Sequence, residues 1–136
     1  MLTRDQKRNR EAWRNLLYSG EYTQAKNALH SSSGHCCLGV ACEIPGAPKW
    51  RSLRKNGEWD AFSHPWKSWD GETLCESIAI PKFGISVRDQ WSLADANDSE
   101  VLTFEEIADV LYLSEVSGQS VQDILMDIHK RDFNEP

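Results

Sequence analysis

The sequence predicts an α+β fold: a single small domain, residues 1–136, whose helices pack on a small antiparallel sheet containing an Asn-Gly hairpin. Three observations lead there. Apolar residues recur at helical spacing near both ends of the chain, and the turn pair Asn56-Gly57 divides two extended runs in its middle. No internal repeat or long Pro/Gly/Ser linker separates these parts, and 136 residues suffice to bury a core without disulfides or metal.

Each element has its own signal. Thr3 and Gln6 make a capping-box pattern, so helix one begins there, buries Ala12, Trp13, Leu16 and Leu17, and stops at Ser19-Gly20. Glu21 to Leu29 fits both a helix capped by Thr23 and an irregular strand. Cys37 to Ile44 reads as a buried helix ended by Pro45-Gly46. Trp50–Lys55 and Glu58–Ser63 form the hairpin arms, in a register that sets Lys55 opposite Glu58 and Arg54 opposite Trp59, guanidinium beside indole. Leu74, Glu76, Ile78 and Ile80 alternate as a strand, and Phe83, Ile85 and Val87 suggest another. Ser86 caps a helix through Ala94, and a longer helix follows Thr103 with Phe104, Ile107, Ala108, Leu111 and Tyr112 on one face. Val121, Ile124, Leu125 and Ile128 mark the last helix.

Charge and composition narrow the function. No apolar run approaches the roughly 18–20 residues of a spanning helix, and Met1-Leu2-Thr3-Arg4-Asp5 lacks the core of a signal peptide. A cytoplasmic protein with reduced thiols and no membrane partner is the expectation. The net charge of −6 argues against nucleic acid as a partner. Arg4, Lys7, Arg8, Arg10 and Arg14 nevertheless make the first helix basic, whereas eleven acids against Lys130 and Arg131 follow from Asp95. These poles meet within one domain, meet across a symmetric homodimer, or leave a basic helix to dock an acidic partner.

Several constellations carry competing chemistries. Cys36, Cys37 and Cys42, with His30, His35 or His64, have the residue types of a zinc site. Adjacent cysteines point apart, however, and the spacing lacks a paired C-x2-4-C, so three small buried hydrophobes account for them better, and neither metal nor cofactor is expected. A thiolate at the helix start with His64 or His129 as base is the enzymatic alternative. Ser31, Ser32 and Ser33 before that helix offer hydroxyls and amides to a small anionic ligand. Asp95 to Glu106 places oxygen ligands at calcium-loop spacing, but Glu100 stands where glycine is required, and Thr103-x-x-Glu106 is equally a capping box. Thr103 to Ser114 and Val121 to Lys130 imitate a helix-turn-helix whose second helix carries Asp123 and Asp127, the wrong sign for phosphates. Of six tryptophans, Trp13 belongs in the core, while Trp50, Trp59, Trp66 and Trp69 with Arg54 and Lys67 have the composition of a partner-binding surface.

Three blocks resemble a family of small proteins encoded mostly by phages and prophages. They are Ser-Gly-Glu-Tyr-x-Gln at Ser19 to Gln24, Cys-Cys-Leu-Gly-Val-x-Cys at Cys36 to Cys42, and Asn97-Asp98 followed by Phe-x-Glu-Ile-Ala-Asp at Phe104 to Asp109. The chain from about residue 113 reads as an addition to this pattern. The resemblance carries no catalytic residues. It implies an accessory protein in the bacterial cytoplasm that binds and sequesters or inhibits a host macromolecule, a defence component among the candidates, without catalysing a reaction.

Overall fold

The computed structural model describes residues 2–55, 58–99 and 102–134, with side chains described outside 53–61 and 129–134. It confirms the α+β class: helices pack against a small antiparallel sheet. Helix α1 spans Arg4–Ser19, with the Thr3–Gln6 capping box formed and Gly20 left-handed at its end. Strands β1 (His30–Ser31) and β2 (Gly34–His35) make a tight hairpin, and α2 (Cys37–Ala41) follows directly. The long hairpin pairs β3 (Arg51–Lys55) with β4 (Glu58–Ser63) in the expected register, Lys55 opposite Glu58 and Arg54 opposite Trp59, with an irregularity beside Leu53. Its Asn56-Gly57 turn lies outside the described residues. The strand order is β2-β1-β4-β3, and one register pair, Ser31 with Ala61, joins the two hairpins.

Neither strand expected between residues 74 and 87 forms. Glu76–Ile78 is a helical turn, α3, that widens into a π-turn over Ala79–Phe83 and ends at left-handed Gly84. The inward residues are Leu74, Ala79 and Phe83, a helical spacing, while Glu76 and Ile80 face solvent. Leu74 makes one isolated antiparallel bridge, with Lys67, and on its other edge its N–H donates to Gln90 Oε1 (2.8 Å) and its carbonyl accepts from Gln90 Nε2 (3.2 Å). A primary amide takes the edge that a second strand would use, and the pairing with Lys67 stops after one bridge, so the period-two alternation does not extend into a sheet. Residues 21–29 are neither helix nor named strand. They run beside β2, where Ala25 N–H donates to the His35 carbonyl and His35 N–H to the Thr23 carbonyl.

Helices α4 (Val87–Asp98, capped by Ser86), α5 (Phe104–Ser117, with the Thr103–Glu106 capping box) and α6 (Val121–Asn134) complete the body. The core is one cluster centred on α2, which is buried along its whole length. Trp13 reaches it from α1, donating Nε1 to the Cys37 carbonyl (2.9 Å) and meeting Phe83 edge-on. Polar residues of α1 satisfy the last carbonyls of the π-turn: Gln6 bonds Ile80 O, Asn9 bonds Lys82 O, and Arg10 bonds Phe83 O and Gly84 O. Arg14 pairs with Glu115 through two parallel bonds of 3.1 and 3.0 Å. The basic first helix and the acidic C-terminal third therefore meet, at their inner faces, within one molecule.

Candidate functional site

The cysteine-rich helix is packing material. Cys36, Cys37 and Cys42 are buried free thiols, and Cys75 is half-buried and free. Cys36 Sγ accepts the Gly39 amide and so caps α2, while the Cys37 thiol donates to the Leu93 carbonyl. Burial pushes the Cys36 thiol up to about 12 and lifts Cys37 and Cys42 well above their ordinary range. A thiol that stays protonated under apolar cover is no nucleophile, so Cys36 and Cys37 do not supply the thiolate that the enzymatic alternative placed there. Gly39 explains the rest of the motif: a Cβ there would lie 1.7 Å from the Leu29 carbonyl oxygen.

The anion cradle expected at Ser31, Ser32 and Ser33 does not form with this helix. Ser31 Oγ accepts the Ser33 amide inside the β1–β2 turn, and the Cys37 and Gly39 amides at the head of α2 are spent on Asn97 Oδ1 and Cys36 Sγ. Asn97 is a complete junction. Its oxygen accepts from Cys37 N–H and Gln24 Nε2, and its nitrogen donates to Ala25 O (2.7 Å) and Asp98 Oδ1 (3.1 Å). The three sequence blocks at Gln24, Cys37 and Asn97 thus converge on one buried amide with all four hydrogen-bonding positions used. The same geometry replaces the calcium-loop reading: Asp95 to Asp98 are helical and Asn97 is turned inward. Among the described residues no group of three His, Cys, Asp or Glu side chains is placed to hold a metal.

Three imidazoles gather on the sheet instead. His30 stacks between His35 and Phe62, with ring centroids 3.8 Å apart on each side, and Trp50 meets His30, His35 and His64 edge-on. Every ring has a hydrogen-bond partner, and His30 Nδ1 lies 3.0 Å from the Gly34 carbonyl. His35 Nε2 lies 3.0 Å from Glu43 Oε2; His64 Nε2 donates to Pro48 O and its Nδ1 accepts the Trp66 amide. Burial lowers the pKa of His35 and of His64, and His30 lowers that of His35 further. These rings hold the β1–β2 turn to the long hairpin.

Beside the stack is a hollow of about 200 Å³, lined among others by Asn27, His30, Trp50, Phe62, Lys67 and Asp70. Among the described residues Trp50 Nε1 is buried without a hydrogen-bond partner. The loop forming one rim is held by Asp70, whose Oδ1 accepts from the Ser68 hydroxyl, the Glu72 amide (2.9 Å) and the Thr73 amide (3.0 Å). Burial by itself would raise the Asp70 pKa, but the bonds from Ser68, Glu72 and Thr73 outweigh it and hold the carboxyl below its ordinary range. On this braced loop Trp69 is 98% exposed.

The partner surface expected from sequence is therefore divided. Trp66 is only 7% exposed and closes the core between His64 and Phe83, with Lys82 Nζ 5.3 Å from its ring centre. Trp50 is half-buried in the imidazole stack and lines the hollow, as does Ser31. Trp69 is wholly exposed, and the side chains of Arg54 and Trp59 lie outside the described residues, on paired positions of β3 and β4. Sequence reading placed Lys67 beside the indoles but missed Phe62 and Asp70 in the hollow, and Trp91, which stands 60% exposed on α4. Ser68-x-Asp70-Gly71 was a legible turn signal, but nothing in it distinguishes a spacer from a pedestal.

Among the described residues no helix is long and apolar enough to cross a membrane. A family model described as Domain of unknown function (DUF8296) matches residues 5–115, and the chain belongs to that family. No curated protein and no solved structure matches. The matched stretch ends within α5, so α6 lies beyond it, although Val121 and Ile124 are buried in the common core.

Proposed function

We propose that this member of the DUF8296 family is a phage-type accessory protein of the bacterial cytoplasm that binds a host macromolecule, a defence component among the candidates, and sequesters or inhibits it without catalysing a reaction. The observation that carries the reading is Trp69, an indole 98% exposed on a loop that Asp70 fixes. An indole in water on a mobile loop is unremarkable. On a braced loop it is pre-ordered for contact, so a partner that covers it gains apolar burial at little cost in ordering. Covering about 200 Å² of ring at about 25 cal/mol per Å² is worth at most about 5 kcal/mol, enough to anchor an interface. The adjoining hollow supplies orientation through Lys67 at its edge. The groups weighed for catalysis are engaged elsewhere: Cys36 and Cys37 under burial, His64 between Pro48 O and the Trp66 amide.

The test compares immobilised wild type with Trp69→Ala in bacterial host lysate. The expected result is one protein retained by the wild type and lost at least about tenfold by the variant, while the circular dichroism and melting temperature of the variant stay unchanged. Equal retention by the variant refutes Trp69 as the anchor.

A further inference from the structure

The outer face shared by α1 and α5 alternates in charge and apolarity along its length. The helices run antiparallel: the Tyr18 hydroxyl at the end of α1 bonds Asp109 near the start of α5, and Arg14 reaches Glu115 near its end. Tyr112, Leu113 and Val116 form an apolar strip on α5, 50%, 48% and 61% exposed. One end of the strip is acidic, with exposed Glu105, Glu106 and Asp109. The other is basic, with exposed Lys7, which borders the same cleft as Val116, and Arg4 one helical turn before it. Asp5 does not offset this pole, because it pairs with Arg8; Glu11 lies between the poles.

From Glu105 to Val116 the axis of α5 covers about 16 Å, roughly twice the distance over which salt at physiological strength screens a charge. The two poles therefore do not neutralise each other across one molecule. A two-fold axis through the middle of the strip solves both problems together. It lays apolar side chains on their own copies and each acidic end on the basic end opposite. Few unrelated surfaces carry that order of acid, apolar and base at that spacing; a second copy carries it by symmetry.

We propose that the chain forms an isologous homodimer through the outer face of α1 and α5, with Glu105 of one copy facing Lys7 of the other. This face is separate from the Trp69 loop, so the dimer leaves that loop open and presents it twice. The experiment is sedimentation velocity on the full chain over a range of concentrations, at low and high salt. The expected result is a mass approaching twice 15.5 kDa as concentration rises, with association weakened by salt. Lys7→Glu and Glu105→Lys should each weaken association about tenfold, since symmetry counts every substitution twice, and the double variant should recover it. Val116→Arg should leave a folded monomer, checked by circular dichroism. A wild type monomeric at every concentration, a double variant no better than the single ones, or an unaffected Val116→Arg dimer would each overturn the proposal.

Discussion

Replacing Gly39 by alanine tests the seam on which the core is built. The added Cβ would stand 1.7 Å from the Leu29 carbonyl oxygen, 2.6 Å from its carbon and 3.2 Å from its Cα. An ordinary contact needs about 3.4 Å, so α2 and the chain entering β1 must part by about 1.5 Å. Both sides are backbone, and no rotamer change relieves the overlap. The same oxygen accepts the Cys36 amide at 3.1 Å, so separation also strains that bond, worth about 1 kcal/mol. Overpacking adds about 1–3 kcal/mol, and loosening the buried contacts of α2 adds more. A total of about 3–5 kcal/mol follows, or about 10–15 °C in melting temperature for a domain of this size. The assay is urea unfolding followed by far-ultraviolet circular dichroism, with Gly20→Ala as the control. Gly20 has φ +75° and nothing within 4 Å of a built Cβ, so alanine there costs only the left-handed backbone, about 1 kcal/mol. A Gly39→Ala protein no less stable than Gly20→Ala would refute the close approach and, with it, this account of the Cys-Cys-Leu-Gly block.

Other perturbations read other parts of the molecule. Asn97→Asp removes the donor to Ala25 O and sets a carboxylate against Asp98, so stability should fall by about 3 kcal/mol in urea unfolding; a loss under 1 kcal/mol would contradict the junction. Native protein should react with a thiol reagent once, at Cys75, and four times after denaturation, because the other three thiols are buried. His35 and His64 have folded pKa values below their unfolded value of about 6.5, so the unfolded chain takes up protons that the folded one refuses as pH falls. Stability should be full above about pH 7 and decline from about pH 6.5 downward, by up to about 1.4 kcal/mol per pH unit for each histidine. Melting curves across this range should show that slope, and His64→Gln should reduce it. An unchanged slope in that variant would mean that His64 is not held neutral.

Elements whose signals are local were legible in the sequence. Thr3 with Gln6, Ser86 and Thr103 with Glu106 each start a helix by bonds spanning three residues, and the hairpin register is read from a two-residue turn. The failures depend on distant partners. Leu74 looked like strand because its alternation fits one, but Gln90, sixteen residues on, occupies its backbone. Trp66 and Trp69 are indistinguishable by composition, yet one is driven inward by Phe83 and His64 while the other is held out by the Asp70 turn. The histidines were weighed as companions of the cysteines and proved companions of each other, since β1, β2 and β4 bring His30, His35 and Phe62 into one stack. The cysteine helix was correctly read as buried, because a short, almost uncharged run in a chain of this polarity has nowhere to go but inside, although it ends at Ala41 and not at Ile44.

Among the described residues the long hairpin joins the rest of the sheet through the rung between Ser31 and Ala61, the stacked ring of Phe62 and Trp50 at its foot. An appendage rooted so narrowly answers to few constraints from the body that carries it. Its outer positions are free to diverge under selection from outside the molecule, as the binding loops of a scaffold do, while the amide junction and the glycine seam stay the same beneath. Variation between relatives should therefore concentrate in β3 and β4 and stop abruptly at the rung.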